Sequence, residues 1–370
     1  MVIFQMLLRS AFVATLIASL LFNASALQAK NQPPLSLAKR IILPDEKQEF
    51  RLLIDRSFDA AFINMPVYVA HGQKAGHRLC ITAGIHGDEI NGSEIARRTF
   101  AKIDPLKLHG TVIMLPMVNT AGIRNGERYM PDRRDLNRYF PGSYNGSITS
   151  IVARGTFDLI TTHCDTLIDL HTGSFQRANA PQIRVTRKDP VARTLARNFG
   201  SGIIILSDGP RGSLRREAVE AGIPAIIYEA AGPHVFDVEA ADVGVRGLLN
   251  VMRHLEILPG DSPEIPEDKV YHLTVWERVP LGSGGFFFPE VSLGTEVKTG
   301  QRLGYLVTPL EDKTTVLTAS RDGIIIGMAR PQIVLSGYAL FHLGLSGERS
   351  ELTEKELHEQ EESVEALSDG

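Results

Sequence analysis

In the stretch Gly84-Ile85-His86-Gly87-Asp88-Glu89 an imidazole and a carboxylate stand three residues apart, directly after the apolar run Leu79 to Ala83. Side chains at i and i+3 share one side of a helical turn, and Gly84 and Gly87 let the backbone bend there. Two ligands could then face one metal ion, although a lone His-x-x-Glu pair suits a solvated helix face equally well. His171 closes a second apolar run in Leu167-Ile-Asp-Leu-His-Thr-Gly-Ser174. That is the carboxyl end of an expected strand, where the ligands of open α/β sheets gather. Together His86, Glu89 and His171 make the two-histidine, one-carboxylate set that leaves a catalytic Zn²⁺ an open position for water. Asp169 either faces the opposite side of that strand or supports a ligating imidazole.

A metal-activated water needs a base. Glu229 ends the apolar run Ala225 to Tyr228, just before Ala-Ala-Gly-Pro, where a carboxylate can take the water's proton. The loop 128–142, Arg-Tyr-Met-Pro-Asp-Arg-Arg-Asp-Leu-Asn-Arg-Tyr-Phe-Pro-Gly, carries Arg128, Arg133, Arg134, Asn137 and Arg138. A guanidinium there could clamp a substrate carboxylate, and another could stabilise an oxyanion. Arg133 and Arg134 are equally well read as a solvated basic loop.

These residues need a sheet to place them. From about 79 to 256, short β-rich runs alternate with helical patterns, which predicts an α/β domain. Expected strands are Leu79 to Ala83, Thr111 to Met117, Thr166 to Leu170, Gly202 to Leu206 and Ala225 to Tyr228. Helical spacing joins Ile95, Ala96, Thr99, Phe100 and Ile103, and also Val191, Leu195 and Phe199. The segment 31–77 is expected to open the fold with strands of its own. Pro259-Gly-Asp-Ser-Pro-Glu-Ile-Pro266 reads as a linker, after which short strands at close spacing with glycine turns predict an all-β barrel or sandwich. The expected organisation is thus a catalytic domain over 31–258, an all-β domain over 266–345 and an acidic tail over 346–370.

Composition places the chain among globular proteins: 370 residues, 43% hydrophobic and 22% charged. Residues 1–26 hold one base, Arg9, and no acid, then an apolar stretch from Ala11 to Phe22 and Ala24-Ser25-Ala26. This reads as a secretory signal, too short in its apolar core for a spanning helix, so export to the periplasm is expected, with no stable span after cleavage. Residues 348–370 hold nine acids and two bases, so a net charge of −4 leaves the body mildly basic. Such a balance favours an anionic partner weakly and shows no nucleic-acid stripe. Cys80 and Cys164 are expected as two buried thiols rather than a bridge, although an oxidising compartment would permit one.

Taken in order, Gly-x-His-Gly-Asp-Glu, Arg-x(8)-Asn-Arg within Asp-Leu-Asn-Arg-Tyr-Phe-Pro-Gly, Asp-Leu-His-Thr-Gly and a strand-end Glu resemble the succinylglutamate desuccinylase/aspartoacylase family of the zinc carboxypeptidase superfamily. The resemblance spans about residues 79 to 345. It implies a mixed central sheet with helices on both faces, followed by a smaller all-β barrel or sandwich domain. It also implies one Zn²⁺ per chain on His86, Glu89 and His171, with Glu229 as general base and proton donor. Arg128 would polarise the scissile carbonyl, with Arg124 the competing candidate, and Asn137 and Arg138 would hold the substrate carboxylate. Arg177 and Arg184 follow the His171 strand and could add substrate contacts. The implied activity is deacylation of an N-acyl amino acid, a small carboxylate-bearing molecule; the alternative is an exported metallocarboxypeptidase acting on short or cell-wall peptides. The secretory signal departs from the named intracellular enzymes, so their particular substrates do not carry over. The segment 310–327 also resembles lipoyl and biotinyl carrier hairpins with Lys313 at the turn, but such attachment is cytosolic, and a barrel-sandwich second domain explains the pattern without modification.

Overall fold

A computed structural model describes residues 32–56, 62–311 and 313–345. The expected secretory signal, 1–26, and the acidic tail, 346–370, lie outside the described residues. The strands of the first two thirds are β1 (Leu35–Leu37), β2 (Arg40–Ile42), β3 (Glu46–Arg56), β4 (Phe62–His71), β5 (Lys74–Ala83), β6 (His109–Leu115), β7 (Thr166–His171), β8 (Arg177–Val185), β9 (Ile203–Leu206) and β10 (Ala225–Ala231). Between them run the helices α1 (Asn91–Lys102), α2 (Thr120–Asn125), α3 (Ile148–His163), α4 (Pro190–Phe199), α5 (Leu214–Glu220) and α6 (Val238–His254).

The central strands β6, β5, β7 and β10 lie side by side and parallel, flanked by antiparallel β4 and β3 at one side and antiparallel β8 at the other. Strands covered on both faces read as unbroken apolar runs, and every residue of β7 and β10 is buried. Side chains alternate between the faces. Leu79 and Ile81 pack with α1, α4 and α6 on one side, and Cys80 packs with α3 and α5 on the other. The sheet is therefore mixed with helices on both faces, as expected. Helix α4 shows local coding: Asp189 caps the amides of Val191 and Ala192, Pro190 takes the first turn, and Gly200 at φ +75° ends it.

Beyond residue 266 come β11 (Lys269–Tyr271), β12 (Leu273–Arg278), β13 (Gly285–Pro289), β14 (Glu296–Val297), β15 (Arg302–Thr308), β16 (Lys313–Thr318), β17 (Gly323–Ala329), β18 (Ile333–Val334) and β19 (Ala339–Leu345). This region is all-β, and β13, β15, β16 and β18 form a four-stranded sheet over a core including Phe287, Leu303, Leu306 and Phe341. The other layer does not stand apart. Strand β17 pairs with β8, Gly327 opposite Asn179, so β17, β19 and β12 extend the catalytic sheet. Gly327 makes the junction possible, because a Cβ there would meet Asn179 Oδ1 at 2.7 Å. Lys313 is the first residue of β16, paired with Thr308 and exposed.

The expectation of two free thiols is corrected: Cys80 and Cys164 form a disulfide, with Cα atoms 5.7 Å apart. Cys80 lies in β5 and Cys164 caps α3 just before β7, the strand hydrogen-bonded to β5, so pairing of the sheet brings the two together. The bridge closes 84 residues of chain, for which loop entropy alone amounts to about 4–5 kcal/mol. The double variant Cys80→Ala/Cys164→Ala is expected to lose a stability of that order in denaturant unfolding. An unchanged midpoint would show that the bridge is not what ties these strands.

Candidate active site

The C-terminal ends of β5 and β7 lie side by side, with β6 on the far side of β5, so the site opens where successive connections leave the sheet in different directions. Gly84 turns the chain out of β5 at φ +63°, and the Glu89 amide closes a turn on the His86 carbonyl at 3.2 Å. This turn, ahead of α1, aims both side chains at the end of β7.

His86 Nδ1 lies 2.8 Å from Glu89 Oε1, and His171 Nδ1 lies 2.9 Å from Glu89 Oε2. One donor atom from each of the three falls within 4.8 Å of the others, and all three residues are buried. The outward nitrogens are held as well: His86 Nε2 is 3.1 Å from Asp135 Oδ1 and His171 Nε2 is 2.8 Å from Asp169 Oδ2. Asp169, two residues before His171, shares its face of the strand, which settles the choice left open by the sequence in favour of support for the imidazole. Thr82 Oγ donates to the other Asp169 oxygen at 2.6 Å.

Burial opposes charge here, yet the imidazoles of His86 and His171 hold the Glu89 carboxyl well below its usual range. Burial likewise opposes protonation of His171, which Asp169 and Glu89 nevertheless raise well above the ordinary value. Two Nδ1 atoms converging on one carboxylate, each ring oriented by a further carboxylate at Nε2, are a donor set suited to a divalent cation. The residues present therefore fit Zn²⁺, and the same set accepts other divalent metals.

Arg128 joins this cluster and Arg124 does not. Arg128 Nη1 donates to Glu89 Oε1 at 3.0 Å and to Ser174 Oγ at 2.6 Å, and Nη2 donates to Asp135 Oδ2 at 2.9 Å. Arg124 sits exposed in α2. Asn137 is buried, and its Oδ1 accepts from the Leu214 amide at 2.9 Å, which pins the start of α5 to the basic loop. Arg138 Nη1 donates to the Asn137 carbonyl at 2.8 Å.

Glu229 lies opposite His171 across the β7–β10 pairing. Its Oε2 accepts from Asn179 Nδ2 at 2.9 Å, while Arg184 Nη1 stands 3.7 Å from Oε1. Just beyond, the β8 register shifts and Ala231 takes φ +65°, turning the chain away from the sheet. One cleft is lined by His86, Glu89, His171, Glu229, Arg128, Asn137 and Arg138, so these expected site residues meet there. Arg177 and Arg184 line it too, Arg177 lying against the rings of Phe175, Trp276 and Tyr338 at 5.3–5.6 Å.

Sequence reasoning did not single out Asp135, Ser174, Asn179, Arg215, Trp276 or His342. Asp135 sits inside Asp-Leu-Asn-Arg, where its spacing to Asn137 was available as a signal. Trp276 and His342 come from β12 and β19, which reach the cleft only through the β8–β17 junction.

The succinylglutamate desuccinylase/aspartoacylase catalytic domain matches residues 75–255. The N-alpha-acetyl-L-2,4-diaminobutyric acid deacetylase of Halomonas elongata is 26% identical over 280 residues, 71% of this chain and 80% of that protein. A succinylglutamate desuccinylase/aspartoacylase from Rhodobacter sphaeroides, 26% identical, has a crystal structure that superposes with a TM-score of 0.71 over 81% of this chain and 95% of that one. The product-bound ectoine utilization protein EutE (DoeB) from Ruegeria pomeroyi shares the fold, with a TM-score of 0.72 at 23% identity over 82% and 98% of the two chains.

Proposed function

The chain belongs to the succinylglutamate desuccinylase/aspartoacylase family, and from that premise we propose that it is a zinc-dependent deacylase cleaving the amide bond of an N-acyl amino acid. The observation that carries this reading is the convergence of His86, Glu89 and His171 in one cleft with Glu229 and Arg128. His86 and His171 through Nδ1, with the Glu89 carboxylate, would hold the metal. When bound, Zn²⁺ would supply an acidified water and Lewis-acid polarisation of the carbonyl.

The chain's own residues account for the rest. Glu229 takes the proton of the attacking water and returns it to the leaving nitrogen. Asn179 fixes Glu229 Oε2, so the carboxylate approaches the reaction with its orientation set. Arg128, held by Glu89, Ser174 and Asp135, presents a guanidinium toward charge developing on the carbonyl oxygen. Asn137 and Arg138 receive the substrate carboxylate; with Asn137 Oδ1 committed to Leu214, its Nδ2 is the group left to donate.

The cleft encloses about 170 Å³, below the roughly 300–1,000 Å³ common for drug-sized ligands. Its size supports an acylated amino acid over a longer peptide, and the wall contributed by Thr274, Trp276 and His342 narrows it. The reading extends to an exported, periplasmic protein, supported by the apolar leader and by a disulfide of the kind that persists in oxidising compartments.

Elemental analysis of the purified protein, combined with amine release from N-acetyl and N-succinyl amino acids and from tri- and tetrapeptides, tests the proposal. About one zinc per chain and faster cleavage of the N-acyl amino acids are expected. Faster cleavage of the peptides would convert the assignment to a carboxypeptidase.

A further inference from the structure

We infer that the outer face of the four-stranded sheet β16-β15-β13-β18 is an interface between two copies of this chain, packed sheet against sheet about a two-fold axis that runs along the strands between β13 and β15. The face is separate from the cleft, which this β region reaches through Thr274 and Trp276 of β12 and His342 of β19 instead.

The strand register defines the face. Phe287 points into the core and is buried, so its neighbours Phe286 and Phe288 point outward, each 40% exposed. Across the β13–β15 pairing Phe286 stands opposite Val307 and Phe288 opposite Tyr305, the last two rings stacked with centroids 5.1 Å apart. The row through Phe286 continues to Ile333 on β18, and the row through Tyr305 continues to Val316 on β16; these are 71% and 49% exposed. At the Phe286 end, Leu335 and Leu281 extend the apolar surface, 77% and 93% exposed, and the Gly282 amide joins their turns by donating to Ser336 Oγ at 3.1 Å. At the other end Arg302 lies over the Tyr305 ring, and its Nη2 donates to Glu290 Oε1 at 2.8 Å.

Single exposed apolar side chains are ordinary, but these form one surface. At roughly 150–200 Å² for a fully open large side chain, they leave on the order of 600 Å² uncovered, the upper end for the largest patch of a typical monomer. Among the described residues no element is laid over them. Tyr305, Val307 and the Arg302–Glu290 rim bring the area close to the ~800 Å² per partner of a stable interface. The face is also complementary to itself. A two-fold axis along the strands exchanges β13 with β15, which sets Phe288 of each copy against Tyr305 of the other and Glu290 of each against Arg302 of the other. Opposite charges then meet at the polar edge while the apolar rows meet behind it. An anionic lipid surface fits this face less well, because Glu290 cancels the one cation beside the apolar rows.

Sedimentation velocity on the purified protein between about 0.1 and 50 µM tests the interface. A dimer is expected, weakened by about 100-fold in Phe286→Asp at the centre of the face and by about 10-fold in Ile333→Asp at its flank. Ile333 is already mostly exposed, so that variant keeps its fold by circular dichroism even if the Phe286 variant does not. Glu290→Arg and Arg302→Glu should each weaken the dimer by about 10-fold, and the double exchange should restore it, a rescue that a merely destabilised chain would not show. A chain that stays monomeric at about 50 µM, or a dimer indifferent to Ile333→Asp and to both charge reversals, would overturn the proposal. So would a monomer that floats with phosphatidylglycerol vesicles and loses this in Ile333→Asp, which would assign the face to a membrane.

Discussion

Glu229→Gln is expected to lower kcat/KM by about 10²–10⁴-fold with metal content unchanged, the range associated with removal of a positioned general base. The substitution keeps size and shape, so Asn179 can still hold the side chain from β8 through the amide oxygen. What is lost is a group able to accept a proton at the carboxyl edge of β10, opposite His171. The expected loss sits in kcat, because in the proposed binding mode the substrate carboxylate is held elsewhere, by Asn137 and Arg138. Near-normal turnover in a zinc-containing Glu229→Gln protein would remove Glu229 from the proton-transfer role. A loss confined to KM would make it a binding residue instead.

His171 and Glu229 were legible as candidates because each closes an apolar run, and His86 and Glu89 because they follow one across a glycine turn at i, i+3 spacing. The second half of β5, Leu79 to Ala83, and all of β7 and β10 are buried, so their sequences are near-continuous hydrophobic blocks, and a polar residue ending such a block marks the sheet edge where ligands bind. The helices on the faces were less legible. In α3, Thr149, Thr156, Thr161, Thr162 and Gly155 lower helix propensity, and packing of Val152, Phe157 and Ile160 overrides it. In α6, Gly244 and Gly247 read as breakers. They serve close packing instead: a Cβ at Gly247 would come within 2.1 Å of the Phe199 ring, and one at Gly244 within 2.6 Å of Ile95.

Contacts between residues distant in the chain were beyond local pattern altogether. The 259–266 segment lies between α6 and β11, but composition carries no information about the β8–β17 pairing that makes the second region part of the cleft wall. The Cys80–Cys164 bridge belongs to the same class, since only the β5–β7 register brings together two cysteines that singly look like ordinary core residues.

His86→Ala and His171→Ala are each expected to bring zinc from about one per chain to near none and activity to background, because a three-residue site that loses one ligand keeps only an imidazole and a carboxylate. Folding could confound the result: each imidazole is buried and joins two carboxylates, Glu89 with Asp135 or Glu89 with Asp169. A graded series separates ligation from folding. Asp169→Asn leaves all three ligands in place and removes only the charge behind His171 Nε2, so it should weaken zinc affinity by roughly 10–100-fold while zinc excess restores activity. The histidine variants should stay inactive in the same excess, with circular dichroism reporting an intact fold. If His171→Ala retained a full equivalent of zinc, the metal would have to lie elsewhere, and the convergence of two Nδ1 atoms on Glu89 would stand as a buried charge network rather than a metal site.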